Sequence, residues 1–318
     1  MQTFDAEAVD AALDPAMLVG ALRDAFRSDV TVPLRHHHSI PLGGDRHDAT
    51  LLLMPAWDES APPRHIGIKS VTVHPDNAEH GMPSVQGVYL LLDGRTGTPV
   101  AQIDGPSLTA RRTAAASALA ASYLARDNAR TLVVIGTGRL APELVAAHAA
   151  VRPIERVGIW GRNARKAQRL AADIATLGLA AEVVSDLPAA VSDADILSCA
   201  TTSQTPVFQG SWLPEGIHVD LVGGFRPDMR EADDDAVRRA TVFVDTRAGA
   251  CKEAGDIAAP LAAGVLSEAD IAADLVDLCR GEHPGRRDDD EITLFKSVGT
   301  AIEDLAAAEL LMAKAPAS

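Results

Sequence analysis

The chain has little cysteine and uses none of it in a pattern. Cys199, Cys251 and Cys279 are its three cysteines. No CxxC pair or regular spacing joins them, which argues against a thiolate zinc site or a disulfide framework and fits a reducing cytoplasm. No apolar run approaches the roughly 18 residues of a membrane span. The first ten residues, MQTFDAEAVD, carry acids where an export signal carries Lys or Arg. Basic residues are also in short supply: 29 Lys and Arg against 44 Asp and Glu give a net charge of -15. With no long basic patch, neither nucleic acid nor an anionic membrane is an expected partner. A G-x-S-x-G elbow is missing and no cysteine sits in a nucleophile pattern, so hydrolase readings fall away. His36-His37-His38 invites a metal, but in an extended segment at most two of the three share a face, and no second ligand cluster accompanies them; no metal is expected. Asp288-Asp289-Asp290 reads as a solvated loop.

What the chain does have is apolar material. It is 318 residues long, 47% hydrophobic and 23% charged, enough for about two buried cores. The most telling stretch is Thr131 to Ala141, TLVVIGTGRLA, where an apolar strand runs into Gly136-x-Gly138-x-x-Ala141 and then a helix. Gly136 permits the tight turn, Gly138 lets backbone approach phosphates, and Ala141 lets the helix pack on the strand. Arg139 and Leu140 stand at the helix N-terminus, whose N–H groups and dipole favour an anion. This is how a dinucleotide pyrophosphate is held, and it points to hydride transfer.

A second strand, near Val157 to Trp160, ends in Gly161-Arg162-Asn163, with Arg165 and Lys166 one turn on. An acid at this position binds a ribose 2'-hydroxyl; Arg162, Asn163 and Lys166 suit a 2'-phosphate instead. NADPH is therefore the expected cofactor, with NADH possible. Further strands are expected near Glu182 to Val184, Asp195 to Cys199, His218 to Val222 and Thr241 to Asp245, alternating with helices. That pattern is an α/β, doubly wound parallel sheet. Open parallel sheets bind ligands at their strand carboxyl ends, so Thr201, after the strand at Asp195, is a cofactor candidate; a capping role for it is equally open.

The first hundred residues differ. Helices near Ala6 to Leu13 and Ala16 to Ser28 precede strand candidates at Thr50 to Met54, His65 to His74, Gln86 to Leu92 and Pro99 to Asp104. The last two flank the turn Asp93-Gly94-Arg95-Thr96-Gly97 and predict an antiparallel hairpin. From Ser107, read as an N-cap, LTARRTAAASALAASYLA predicts a closely packed helix of small residues.

The segments GTGRLA, LTARRTAAA, VGGFRPDMRE, the EAGD of Glu253 to Asp256 and TLFKSVGTAIEDLAAA, in this order, resemble the ornithine cyclodeaminase and mu-crystallin family over nearly the whole chain. The resemblance implies a substrate-binding and dimerisation domain over residues 1–112, completed by 293–318, a Rossmann NAD(P)-binding domain over 113–292, and a homodimer. It also implies a cation cradle for a substrate carboxylate, matched here by Arg35, Lys69 and Arg112, with Arg111 structural. Arg supplies a bidentate fork and Lys a mobile charge and a proton. Thr113 at the helix start and Ser297 with Gly299 in the KSVG turn are implied at the cofactor.

One departure bears on the reaction. Cyclodeaminases resemble GGDxPGKxEL at this loop, with a catalytic carboxylate after the paired glycines; here that position is Phe225. Cyclisation of ornithine with loss of ammonia needs a base there, and a phenyl ring is none. Asp228 lies three residues on, where the family pattern assigns it no catalytic role. The RPDMRE version resembles the reductase branch, so the expected reaction is reduction of a cyclic 2-imino acid, 1-pyrroline-2-carboxylate to proline or 1-piperideine-2-carboxylate to pipecolate. Lys69 is the expected proton donor. The alternatives are ornithine cyclodeaminase, an alanine-type dehydrogenase, and a non-catalytic NADPH-dependent ligand-binding protein.

Overall fold

A computed structural model describes residues 1–44 and 46–315. The chain divides into two units of dense internal contact: Met1–Arg112 with Thr300–Ser318, and Thr113–Gly299. Of the expected segment 293–318, residues 316–318 lie outside the described residues.

The first unit opens with β1 (Gln2–Phe4), α1 (Ala6–Ala12) and α2 (Pro15–Arg27). Asp14 caps α2 by accepting the Met17 N–H, Pro15 suits the first turn, and Leu18, Leu22 and Phe26 recur at helical spacing as its buried face. The strands β2 (Val30–Thr31), β3 (His36–Ile40), β4 (Ala49–Asp58), β5 (His65–Val73), β6 (Val85–Asp93) and β7 (Pro99–Asp104) follow. They form one sheet of order β1-β7-β6-β5-β4-β2, with β3 also on β4. All pairs are antiparallel except β1 with β7. The β6–β7 turn forms as its residues predict: Asp93 accepts N–H bonds from Arg95 and Thr96, and Gly97 takes φ +71°.

α3 (Gly105–Leu124) carries the chain into the second unit. It begins two residues before Ser107, whose N–H donates to the Asp104 carboxylate at 2.8 Å. Asp104, at the strand end, therefore performs the capping expected of Ser107.

The second unit contains β8 (Thr131–Ile135), α4 (Leu140–Val151), β9 (Arg156–Trp160), α5 (Ala164–Ala175), β10 (Ala180–Val183), α6 (Leu187–Ser192), β11 (Ile196–Cys199), β12 (His218–Leu221) and α7 (Asp234–Arg239). It continues through β13 (Thr241–Val244), α8 (Arg247–Glu253), α9 (Gly255–Ala262), β14 (Ile271–Asp274), α10 (Leu275–Arg280) and β15 (Thr293–Lys296). The eight strands form a sheet of order β10-β9-β8-β11-β12-β15-β13-β14, every pair parallel. The chain runs outward from β8 through β9 and β10, then crosses to β11, so the topological switch point lies between β8 and β11. This is a Rossmann-type doubly wound sheet. Its central strand β8 is an apolar run buried on both faces, through Leu132, Val133, Val134 and Ile135.

β14 and β15 were not expected from the alternating pattern. Residues 293–318 read as one segment returning to the first domain, yet Thr293–Lys296 sits inside the parallel sheet between β12 and β13. All four of its residues are buried, with Leu294 and Phe295 apolar and Thr293 and Lys296 polar, so the run does not read as the apolar strand that a central parallel position usually shows. The final helix, α11 (Ala301–Lys314), belongs to the first unit and packs on α2, β4 and β5.

Candidate active site

In the first unit Lys69 lies on the central strand β5, in register with Met54 and Tyr89. Its side chain is 2% exposed and Arg112 on α3 is 5% exposed. Both reach α11. Asp304 Oδ1 accepts from Lys69 Nζ at 2.8 Å and from Arg112 Nε at 2.9 Å, while Glu303 Oε2 accepts from Arg112 Nη1 at 2.6 Å. Burial lowers the Lys69 pKa, the Arg112 and Arg35 charges lower it further, and Asp304 only partly offsets them, leaving it at about 8. Arg35 and Arg112, the two cations expected beside Lys69, thus both act on its charge. Arg111 turns elsewhere, to Asp10 at 3.2 Å.

The two carboxylates were missed by sequence reasoning. Their signal is Glu303-Asp304 inside AIEDLAAAELL: two adjacent acids in a buried apolar helix need buried cations. Tyr89 belongs to the same surroundings; burial and then the Asp304 and Glu309 charges raise its phenol well above its ordinary pKa.

In the second unit the turn after β8 has the features a pyrophosphate requires. Gly136 has φ +133°, and a Cβ there would lie 2.5 Å from the Ala200 carbonyl oxygen. At Gly138 an added Cβ would meet nothing within 4 Å, so the space above its backbone is open to a ligand. α4 starts with Arg139 at its cap position and no side chain capping it, Leu140 opens the helix, and Ala141 is fully buried. These residues fit a dinucleotide pyrophosphate. Beyond β9, Arg162 and Lys166 are exposed, and Asn163 caps α5 by accepting the Lys166 N–H at 3.1 Å. Thr113 on α3 is buried.

Because the strands are parallel, the residues following β8, β11, β12, β13 and β15 emerge along one edge. Thr201, after β11, gives both its N–H (2.7 Å) and its hydroxyl (2.9 Å) to Glu231 rather than capping a helix. Ser297, after β15, is 2% exposed, and its hydroxyl finds no hydrogen-bond partner among the described residues. Such an orphaned polar group at this edge fits a bound ligand. Asp245 Oδ2, after β13, accepts the Val298 and Gly299 N–H groups at 2.7 Å each and fixes the KSVG turn.

In the loop after β12, Phe225 is 40% exposed. Asp228 is bound by Arg226 at 2.7 and 2.9 Å and by Gln204 at 2.9 Å. The Arg226 hydrogen bonds hold its carboxyl below the ordinary value, which makes it a weak base.

A further buried series, Ser198 hydroxyl to Asp220 carboxylate (2.6 Å) to His148 (3.3 Å), has the residue types of a nucleophile triad. All three side chains are fully buried, so no substrate reaches them and the series is framework.

Residues 4–318 match the ornithine cyclodeaminase/mu-crystallin family. A Delta(1)-pyrroline-2-carboxylate reductase of Colwellia psychrerythraea is 41% identical, the match covering 99% of each chain. Among solved structures, the Thermococcus litoralis Delta(1)-pyrroline-2-carboxylate reductase in complex with NADH and L-proline superposes with TM-score 0.92 at 34% identity, covering 99% of this chain and 97% of that one. An archaeal alanine dehydrogenase dimer with bound NAD follows at TM-score 0.89 and 29% identity, covering 98% and 94%.

Proposed function

The chain belongs to the ornithine cyclodeaminase/mu-crystallin family, and from that premise we propose that it is an NAD(P)H-dependent oxidoreductase of cyclic 2-imino acids. Its substrate is 1-pyrroline-2-carboxylate, reduced to proline, with 1-piperideine-2-carboxylate, reduced to pipecolate, as a second. The observation that carries this reading is the convergence of Lys69 and Arg112 on a single oxygen of Asp304. It sets a guanidinium fork and a titratable ammonium side by side in a buried site, as a small carboxylate with an adjacent imine requires.

Arg112 and Arg35 bind the substrate carboxylate and so orient the ring. The nicotinamide, when bound, supplies the hydride that reduces the C=N carbon. Lys69 holds a proton toward the imine nitrogen; with its pKa lowered to about 8 it is a stronger acid than an ordinary lysine and donates near neutral pH. Phe225 stands where the cyclodeaminase loop carries a catalytic carboxylate, and Asp228 is tied to Arg226, so neither position supplies the base for ornithine cyclisation.

Gly136, Gly138, Arg139, Leu140 and Ala141 hold the pyrophosphate, with Thr113, Thr201 and Ser297 on the rest of the cofactor. Arg162, Asn163 and Lys166 favour NADPH, because an exposed arginine pair-forms with a 2'-phosphate while no acid is present for a 2'-hydroxyl. Residues 1–112 with the C-terminal helix make the substrate domain and, by analogy with the dimeric archaeal relative, a homodimer. Among the described residues no helix is long and apolar enough to cross a membrane, and we place the enzyme in the cytoplasm.

The test is cofactor oxidation with 1-pyrroline-2-carboxylate, run beside an ammonia assay on ornithine with NAD. Reduced cofactor consumed without ammonia release is the expected result. Ammonia from ornithine without imine reduction overturns the proposal.

A further inference from the structure

Three charged side chains of the second unit, Glu231, Asp256 and Lys296, are fully buried and take no part in the reaction proposed above. Asp256 Oδ1 accepts the N–H groups of Glu231 (2.7 Å) and Ala232 (3.0 Å), and its Oδ2 lies 3.2 Å from Lys296 Nζ. That ammonium is 4.0 Å from Glu231 Oε2. Glu231 in turn spans two strand ends. Its Oε1 takes the N–H and hydroxyl of Thr201, after β11, and its Oε2 takes the N–H of Gly223, after β12, at 2.8 Å. The two ends are pressed together: a Cβ on Gly223 would collide with the Thr201 backbone and lie 2.6 Å from Glu231 Oε1, and one on Gly224 would lie 2.8 Å from Asp256 Oδ2.

Buried ion clusters are seldom the most stabilising way to fill a core, since apolar residues of similar volume often do as well. The geometry this one imposes is local and directional. The Thr201 end adjoins the Gly136 turn through the Ala200 carbonyl, on the far side of the switch point from β9. A dinucleotide whose pyrophosphate lies at Gly136 and Gly138 runs its adenosine half over β9, so its nicotinamide half runs over the ends of β11 and β12.

We infer that Glu231, backed by Asp256 and Lys296, is a positioning residue for the nicotinamide half of the cofactor, acting through Thr201 and Gly223. The inference rests on the dinucleotide reading of this unit. Glu231→Gln keeps the size of the side chain but turns an amide N–H toward a backbone N–H.

The experiment measures binding of NADH and of ADP-ribose, which lacks the nicotinamide, to the full-length wild type and to Glu231→Gln. NADH affinity is expected to fall about tenfold or more, the effect of losing one charged hydrogen bond, with ADP-ribose affinity unchanged. Equal loss of both ligands, or loss of neither, overturns the inference and leaves Glu231 a part of the framework. Should Glu231→Gln fail to fold, Thr201→Val keeps the backbone bond to Glu231, loses the hydroxyl's bonds to Glu231 and from the Ser203 N–H, and is expected to weaken NADH selectively by a smaller factor; an unselective effect again overturns it. A wild type that binds neither of these ligands nor NADPH overturns the dinucleotide reading and this inference with it, whereas normal wild-type binding with an unselective variant overturns this inference alone.

Discussion

Lys69 and Asp304 are 235 residues apart in the chain and 2.8 Å apart in the fold. The pair sets how the site responds to pH. Lys69 has its pKa lowered to about 8, and Asp304 is the charge that keeps it from falling further. The protonated donor is present below that value, so kcat/KM for imine reduction is expected to decline as pH rises through about 8. In Asp304→Asn the same decline moves to lower pH, since the supporting negative charge is gone. Folding stability should also fall, by about 3 to 5 kcal/mol for a buried pair broken on one side. A pH–rate profile in which the variant and the wild type decline together removes Lys69 as the titrating donor.

Arg112 donates to two different carboxylates, Asp304 and Glu303. Arg112→Lys keeps the charge and loses the fork. Its KM for 1-pyrroline-2-carboxylate is expected to rise about tenfold or more, with dinucleotide affinity nearly intact. Equal losses of the two ligands would sink the carboxylate role.

The two glycines of the turn after β8 separate by mechanism. Gly136→Ala puts a Cβ against the Ala200 carbonyl at positive φ, and its melting temperature should drop with a cost of about 2 kcal/mol or more. Gly138→Ala meets open space, so it should fold normally and bind dinucleotide more weakly. Thermal melts and cofactor titrations of the two variants check both halves.

Arg162 is exposed beyond the end of β9. Arg162→Ala is expected to leave stability unchanged and to shift the NADPH to NADH preference toward NADH by about tenfold. An unaltered ratio of kcat/KM values for the two cofactors means that the 2'-phosphate is read elsewhere.

Asp228 is held by Arg226 and Gln204 at the surface. Asp228→Asn should reduce the imine at the wild-type rate. A large drop in kcat would show that this carboxylate serves the chemistry.

The sequence by itself determined the features that depend on near neighbours. The strand, glycine turn and helix from Thr131 to Val151 are local, because each glycine meets a steric need of its own turn, and the alternation of apolar strands with helices specified the parallel sheet. The β6–β7 hairpin was legible from Asp93 to Gly97 for the same reason. The cations Arg35, Lys69 and Arg112 were legible through resemblance, whereas the adjacent acids Glu303 and Asp304 in an apolar helix signalled only that they need cations, not which ones. Tertiary structure decided that Asp304 and Glu303 receive Lys69 and Arg112, that Glu231 receives Thr201 and Gly223, and that Thr293–Lys296 enters the sheet between β12 and β13. Apart from Glu231 with Gly223, eight residues away in the same loop, these are pairings between elements remote in sequence. A buried charge announces only that it needs a partner, and the partner is chosen by which strands and helices the packed core brings within hydrogen-bond reach.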